Sequence, residues 1–183
     1  MTKTWALSLL LACALGISGC AHKPVADDGP SQALPASASA FGRSIMAQAA
    51  PHEGRSGFRL LPNSTEAFMA RAELIRNAKT SLDLQYYIVH DGLSTRALID
   101  ELLRAADRGV RVRILLDDTT SDGLDEVIAT LAAHPNIQIR LFNPLNLGRS
   151  TGATRNMGRL FNLSQQHRRM HNKLWLADSA VAI

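Results

Sequence analysis

A chain of 183 residues, 46% of them hydrophobic, is long enough to bury one domain-sized core, and its composition excludes the disordered and collagen-like classes. Its formal net charge is only +4, yet the charge is unevenly placed: no Asp or Glu occurs between Val127 and Ala177, whereas Arg140, Arg149, Arg155, Arg159, Arg168, Arg169 and Lys173 all fall there. Such a stretch is either a solvated basic face or the lining for an anion, and phosphate is the anion that suits it best.

Residues 1–19 read as a removable leader, with Lys3 ahead of an apolar run from Trp5 to Ile17 and a small-residue exit. That run falls short of the roughly 20 apolar residues that span a bilayer. The exit "ISGC" resembles the lipobox of bacterial lipoproteins, which implies cleavage before Cys20 and acylation of its sulfur and amine. Two acyl signals give stable anchoring where one is marginal. A plain secretory signal with an incidental cysteine is the competing reading. Cys13 leaves with the leader in either case, and a lipidated Cys20 leaves no thiol for a disulfide, redox chemistry or metal ligation. Ala21 rather than Asp after the anchored cysteine resembles lipoproteins sent to the outer membrane. The expected location is therefore the periplasmic face of the cell envelope, outer membrane favoured over inner.

Residues 20–57 are rich in Ala, Ser, Pro and Gly and poor in large apolar groups, so a flexible linker is expected, with a short helix near Ser39–Ala49. The folded domain is expected over 58–183. Asn63 and Glu66 are spaced as a capping box, and Phe68, Ala72 and Ile75 follow at helical spacing as far as Asn77. "LDLQYYIV" alternates as a strand, with Leu82, Leu84, Tyr86 and Ile88 on one face. Ser94 is positioned to cap the next helix, whose stripe of Leu98, Ile99, Leu102, Leu103 and Ala106 ends at Gly109. "VRVRILLDD" is a second strand, Asp122 opens a helix that stops before Pro135, and "IQIRLF" is a third strand. Strands alternating with helices of this length imply βαβ crossovers, hence an α/β fold with a mainly parallel mixed sheet flanked by helices. Asn143–Gln166 is Gly-, Asn- and Ser-rich with a candidate short helix over Asn156–Leu163. The final segment reads as a strand through "MHNKLWLAD", a turn at Asp178 and Ser179, and the start of another strand.

The chemistry concentrates in "HRRMHNKLWLAD", residues 167–178. In an extended segment His171 and Lys173 project to one side, about 7 Å apart, while Asn172 points away. An imidazole and an ammonium so placed suit phosphoryl transfer: the ring nitrogen attacks phosphorus and the ammonium neutralises the non-bridging oxygens. Asp178, beyond the strand, is placed to orient a histidine or to hold the hairpin. His167 and His171 have i, i+4 spacing, but position 168 is Arg rather than Glu and the neighbouring cations repel a divalent ion, so no metal is expected. Neither a Walker pattern nor GxGxxG occurs, and no cofactor is expected. Asp117 and Asp118 invite a general-base reading, but a loop start with caps for the following helix is preferred. Tyr86 and Tyr87 read first as sheet packing, with one ring a candidate to line a lipid-facing cleft.

His171-x-Lys173 followed by Asp178 resembles the HxKxxxxD motif of the phospholipase D superfamily, and "LDLQYYI", "AADRGVRVRILLDD", "HPNIQIRLFNP" and "RRMHNKLWLAD" resemble its bacterial cardiolipin-synthase branch, over about Phe58–Ile183. The resemblance implies a phosphatidyltransferase or phospholipase D reaction in two steps, through a phosphohistidine and without a metal. It makes His171 the nucleophile or the acid that protonates the leaving group, Lys173 the phosphate-binding lysine and Asp178 the residue that positions the site. Arg168, Arg169 and Asn172 are further candidates to hold phosphate. Anionic phospholipid and the membrane are the implied partners, and cardiolipin synthesis or phospholipid hydrolysis the implied outcome.

The family pairs two such motifs across a pseudo-twofold axis, and this chain carries one. Its relatives also continue, past the position of Ile183, into a Gly-Gly segment and a phosphate-binding Asn. The expectation is a truncated half-domain whose second motif comes from a missing carboxyl half or from a second copy, because His171 alone lacks an acid for the leaving alkoxide. Two alternatives stand beside it: a homodimeric one-motif nuclease acting on DNA or RNA, and an envelope lipoprotein fragment without turnover.

Overall fold

The computed structural model describes residues 31–118, 124–144 and 168–183. Ala33–Ile183 forms one compact unit. Its elements in chain order are α1 (Ala40–Ala49), α2 (Ser64–Asn77), β1 (Ser81–Tyr86), α3 (Leu93–Asp107), β2 (Arg111–Asp117), α4 (Asp125–Ala132), β3 (Ile137–Phe142), β4 (Leu174–Ala177) and β5 (Val181–Ala182), with single 3-10 turns on either side of α1.

The five strands make one mixed sheet in the order β3-β2-β1-β4-β5. The three longer strands are parallel and connected through helices, as alternating strand and helix patterns require, while β4 and β5 add antiparallel to one side. The expected α/β architecture is therefore observed. Register aligns the apolar positions into rows across four strands. Ile137, Val112, Leu82 and Ala177 lie in one row, and Ile139, Ile114, Leu84 and Trp175 in the next. Leu74 and Ile75 of α2, Leu102, Ala105 and Ala106 of α3 and Leu131 of α4 pack on these rows. Each fully buried aliphatic side chain contributes about 1.5–3 kcal/mol. The opposite sheet face is more polar. There Asp83 and Arg113, neighbours in register, form a partly buried ion pair that lifts the guanidinium further above its usual pKa through the carboxylate's hydrogen bond.

Local signals explain most element boundaries. Asn63 Oδ1 accepts the Glu66 N–H at 2.9 Å and its amide donates to Glu66 Oε1 at 3.0 Å, a side-chain variant of the expected capping box. The end of α3 is a Schellman motif: Val110 N–H donates to the Ala105 carbonyl and Gly109 N–H to that of Ala106. Gly109 has φ +90°, which only glycine adopts without strain. Arg108 then reaches back to the Ile75 carbonyl, binding the end of α2 to the end of α3.

The short helix expected near Ser39–Ala49 is α1, capped by Ser39, whose hydroxyl accepts Gly42 N–H at 2.7 Å, and Phe41 packs against the core. Ala33 and the residues after it in the stretch read as linker lie within the compact unit. Three boundaries differ from expectation. Ser94 does not cap α3, whose N-cap is Gly92, and the turn ahead is instead held by Asp91 and Arg96 at 2.6 and 2.7 Å. β1 ends at Tyr86 because its pairing ends at Leu116 on one side and Leu174 on the other, so Tyr87 and Ile88 leave the sheet. β4 begins only at Leu174, so His171–Lys173 precede the strand. Asp122, the candidate helix over 156–163 and His167 lie outside the described residues. No helix among the described residues is long and apolar enough to cross a membrane.

Candidate active site

The parallel strands all end on one side of the sheet, at Tyr86, Asp117 and Phe142, and the antiparallel β4 must start there. The segment 168–173 runs along those ends before entering β4. Three contacts fix it in turn. Asn143, just past β3, donates its side-chain amide to the Arg168 carbonyl at 3.1 Å. Asp117, the last residue of β2, accepts the Met170 N–H on Oδ2 at 3.0 Å. Tyr87, just past β1, lays its ring against that of His171, centroids 4.7 Å apart and planes inclined by 38°. Carboxyl ends of parallel strands are where α/β folds commonly assemble sites, because side chains converge there on a scaffold that is already paired.

Lys173 completes the arrangement. Its Nζ lies 5.8 Å from the centroid of the same Tyr87 ring, within reach of a cation–π attraction worth about 0.5–1 kcal/mol at exposed sites. His171, Asn172 and Lys173 are all exposed, whereas Met170 before them and Trp175 after them are buried. An imidazole and an ammonium thus meet at one aromatic ring, open to solvent, on a segment anchored at both ends. Alternation along a strand, on which the sequence expectation rested, does not describe this arrangement, because 171–173 precede β4. Tyr87 organises the pair, while Tyr86 turns inward, accepts a hydrogen bond from Trp175 Nε1 and packs edge-on to that indole at 5.9 Å.

The other candidates separate. Arg168 is exposed beside the pair, as is Asn172. Arg169 instead turns inward, its Nη1 3.5 Å from Asp117 Oδ1, so a carboxylate already faces its charge. Arg140 is exposed on β3; Arg149, Arg155 and Arg159 lie outside the described residues. Among the described residues no group of three or more His, Cys, Asp or Glu side chains gathers as metal ligands would.

Asp178 is not brought to His171. The two lie near opposite ends of β1, about 20 Å apart at the usual rise per residue, because Ala177 pairs with Leu82 while His171 sits by Tyr87. The Asp178 carboxylate is fully buried, where it accepts the N–H groups of Lys79, Thr80 and Ser81 at 2.9–3.1 Å and the Thr80 hydroxyl at 3.0 Å. Burial pushes its pKa up, but hydrogen bonds from Ser81, the Ser39 hydroxyl, Thr80 and Lys79 outweigh that and hold it below the ordinary carboxylate range. Of the two roles open from sequence, orienting a histidine or holding the hairpin, the contacts are those of the second. Both Asp178 and Ser179 have positive φ, +49° and +53°, as the central residues of type I′ turns do, and Ala180 N–H closes the turn onto the Ala177 carbonyl.

The sequence pattern of the family described as cardiolipin synthase, PLD-like domain, matches residues 72–183. Cardiolipin synthase C of Escherichia coli is 42% identical over 139 residues, which make up 76% of this chain and 28% of that protein. An uncharacterized protein of Helicobacter pylori is 40% identical over 124 residues, 68% of this chain and 24% of its own length. The chain thus spans only about a quarter of the length of these curated relatives. Among solved structures, NucT from Helicobacter pylori superposes with a TM-score of 0.46 at 17% identity, covering 68% of each chain. The segment that carries His171, Lys173 and Asp178 lies inside the matched residues, and the chain belongs to the cardiolipin synthase, PLD-like domain family.

Proposed function

We propose that this chain supplies one half of a phosphodiester-transfer site of phospholipase D type, acting on phospholipid. The observation that carries the reading is the shared placement of His171 and Lys173 on the Tyr87 ring, exposed at the carboxyl end of β1. In the first step a ring nitrogen of His171 attacks phosphorus, the P–N bond forms and the P–O bond to the alcohol breaks. Lys173 stabilises the charge that builds on the non-bridging oxygens. The departing alkoxide takes its proton from the histidine of a second HxKxxxxD motif, in a carboxyl half or in a second copy. In the second step the second-motif histidine, left unprotonated by the first, takes the proton of an acceptor hydroxyl, whose oxygen attacks the phosphohistidine; the new P–O bond forms and the P–N bond to His171 breaks. Water as acceptor gives hydrolysis; the hydroxyl of a glycerol headgroup gives cardiolipin, the product in the name of the Escherichia coli relative.

The leader and "ISGC" support a lipid anchor at Cys20, on the periplasmic face of the envelope, with Ala21 favouring the outer membrane. Such an anchor would keep the site within reach of phospholipid headgroups.

The test uses a phosphatidyl aryl diester, whose phenolate leaves without being protonated and so bypasses the second motif. The 183-residue chain should acquire a phosphatidyl adduct, read by intact mass and mapped to His171, and His171→Ala should acquire none. Absence of the adduct in the unsubstituted chain, or its appearance on another residue, overturns the reading. Cleavage of DNA by a chain that leaves lipid vesicles untouched would move the function to the nucleases.

A further inference from the structure

His171 is exposed and stands outside any strand, yet a nucleophile must be held within a fraction of an ångström of its line of attack. On its carboxyl side β4 provides that restraint, starting at the Leu174–Gln85 pair. On its amino side no ladder pairs 168–170 among the described residues, and the contacts found there are Asn143 on the Arg168 carbonyl and, nearer to His171, Asp117. This carboxylate is 1% exposed, too buried to touch a substrate as a general base. It reaches across 53 positions of sequence to accept the Met170 N–H at 3.0 Å, and its second oxygen lies 3.5 Å from Arg169 Nη1. Met170 is itself buried, so its N–H has little water to turn to. A short, rigid side chain on the last residue of a central strand is better placed than a loop to define where a backbone passes.

We infer that Asp117 is a positioning residue, which holds His171 against Tyr87 by fixing the Met170 N–H and the Arg169 side chain at the end of β2. The inference rests on the phosphohistidine reading above. It also assigns Arg169 a second use: the cation offsets a buried carboxylate rather than a substrate phosphate. The acceptor on Oδ2 is the part that matters for His171, since it acts on the residue bonded directly to it.

Two variants separate the parts. Asp117→Ala deletes the acceptor, whereas Asp117→Asn keeps an oxygen for Met170 and loses the charge that faces Arg169. Two readouts are taken on each: the ring-current shift that Tyr87 imposes on the His171 ring protons, measured by NMR, and the rate of adduct formation with the aryl diester. The Ala variant should lose the ring-current shift and slow adduct formation about 10- to 100-fold, in a protein whose core resonances are unchanged. The Asn variant should keep the shift and stay within about threefold of the parent rate.

A folded Ala variant with the His171 signals of the parent overturns the inference, whatever the rate. If Asp117→Ala does not fold, the Asn variant decides: His171 signals at free-histidine positions overturn the inference, and parental positions sustain it. Failure of the phosphohistidine reading looks different, because the unsubstituted chain then forms no adduct while the NMR comparison still reports on Asp117.

Discussion

Replacing Asp178 tests whether this residue of the HxKxxxxD motif is a structural anchor. Its carboxylate satisfies three backbone N–H groups and one hydroxyl at the turn that leads into β1. Asp178→Ala leaves those donors facing a void, at about 1–3 kcal/mol for each that stays dry, so a total of about 3–6 kcal/mol follows once partial rehydration is allowed. Against a typical stability of about 5–15 kcal/mol, that brings the domain to the edge of folding. Asp178→Asn retains one acceptor oxygen but aims an NH2 group at N–H donors, and about half the loss is expected. The sign of the pH effect follows from the depressed native pKa. Such a group contributes stability that is present above the ordinary carboxylate value of about 3.9 and lost as pH falls through the native one, at up to about 1.4 kcal/mol per pH unit. Asp91 and Glu101 also have lowered pKa values, from hydrogen bonds with Arg96 and Arg76, but they are common to both proteins and cancel in the comparison. Urea unfolding of the parent and of Asp178→Asn, at pH 7 and at pH 3, measures the effect. The gap between the two should narrow at the lower pH. Equal gaps at both would refute an ionised anchor.

Lys173→Ala should slow adduct formation with the aryl diester by about 10²–10³, with little change in melting temperature, since the side chain is exposed and its loss removes charge stabilisation rather than packing. Tyr87→Phe should leave the His171 ring-proton shifts near those of the parent, whereas Tyr87→Leu should abolish the ring-current contribution; NMR of the two variants checks this. Ser179→Gly should stabilise the domain by about 1 kcal/mol in urea titrations, because Ser179 holds φ +53° and its buried hydroxyl has no hydrogen-bond partner among the described residues. Leu84→Ala, in the centre of the apolar rows, should cost about 2–5 kcal/mol in the same titration.

What could be read in the sequence was local. The capping box at Asn63 needs only residues three apart, the helix stop at Gly109 needs only a left-handed position, and the three parallel strands announce themselves by apolar alternation. The turn at Asp178 and Ser179 was legible for the same reason. Contacts between residues far apart in sequence were not. Asp178 meets partners 97–99 positions away, and nothing in "LWLADSA" states that they exist. Asp117 reads as a helix cap because it precedes a helix, and only the return of the chain past β2 makes it an anchor for Met170. Tyr86 and Tyr87 are adjacent and chemically equal, yet one packs inward on Trp175 and the other meets His171, because β1 stops between them. Ser94 failed as a cap for a related reason: Gly92 and the Asp91–Arg96 pair set the turn before the serine is reached.

The spacing within HxKxxxxD acquires a physical meaning from these positions. The four residues between Lys173 and Asp178 are β4 itself, Leu174–Ala177, with each of them paired to β1. Trp175 and Ala177 face the core, while Leu174 and Leu176 are less buried, so the strand is bound to the sheet by its own alternation. The Asp at one end is buried and held by the backbone where β1 begins; the His and Lys at the other emerge where β1 has ended. The motif is therefore a ruler laid along one strand. Adding or removing a single residue between Lys173 and Asp178 would invert the faces of β4 or move Lys173 away from the Tyr87 ring, since the side-chain period of a strand is two. A one-residue insertion after Leu176 should thus abolish His171 adduct formation even in molecules that still fold, as judged by circular dichroism, whereas the same insertion in the Gly92 turn should leave the adduct intact. Parental adduct formation in the Leu176 insertion would show that the spacing does not act through β4.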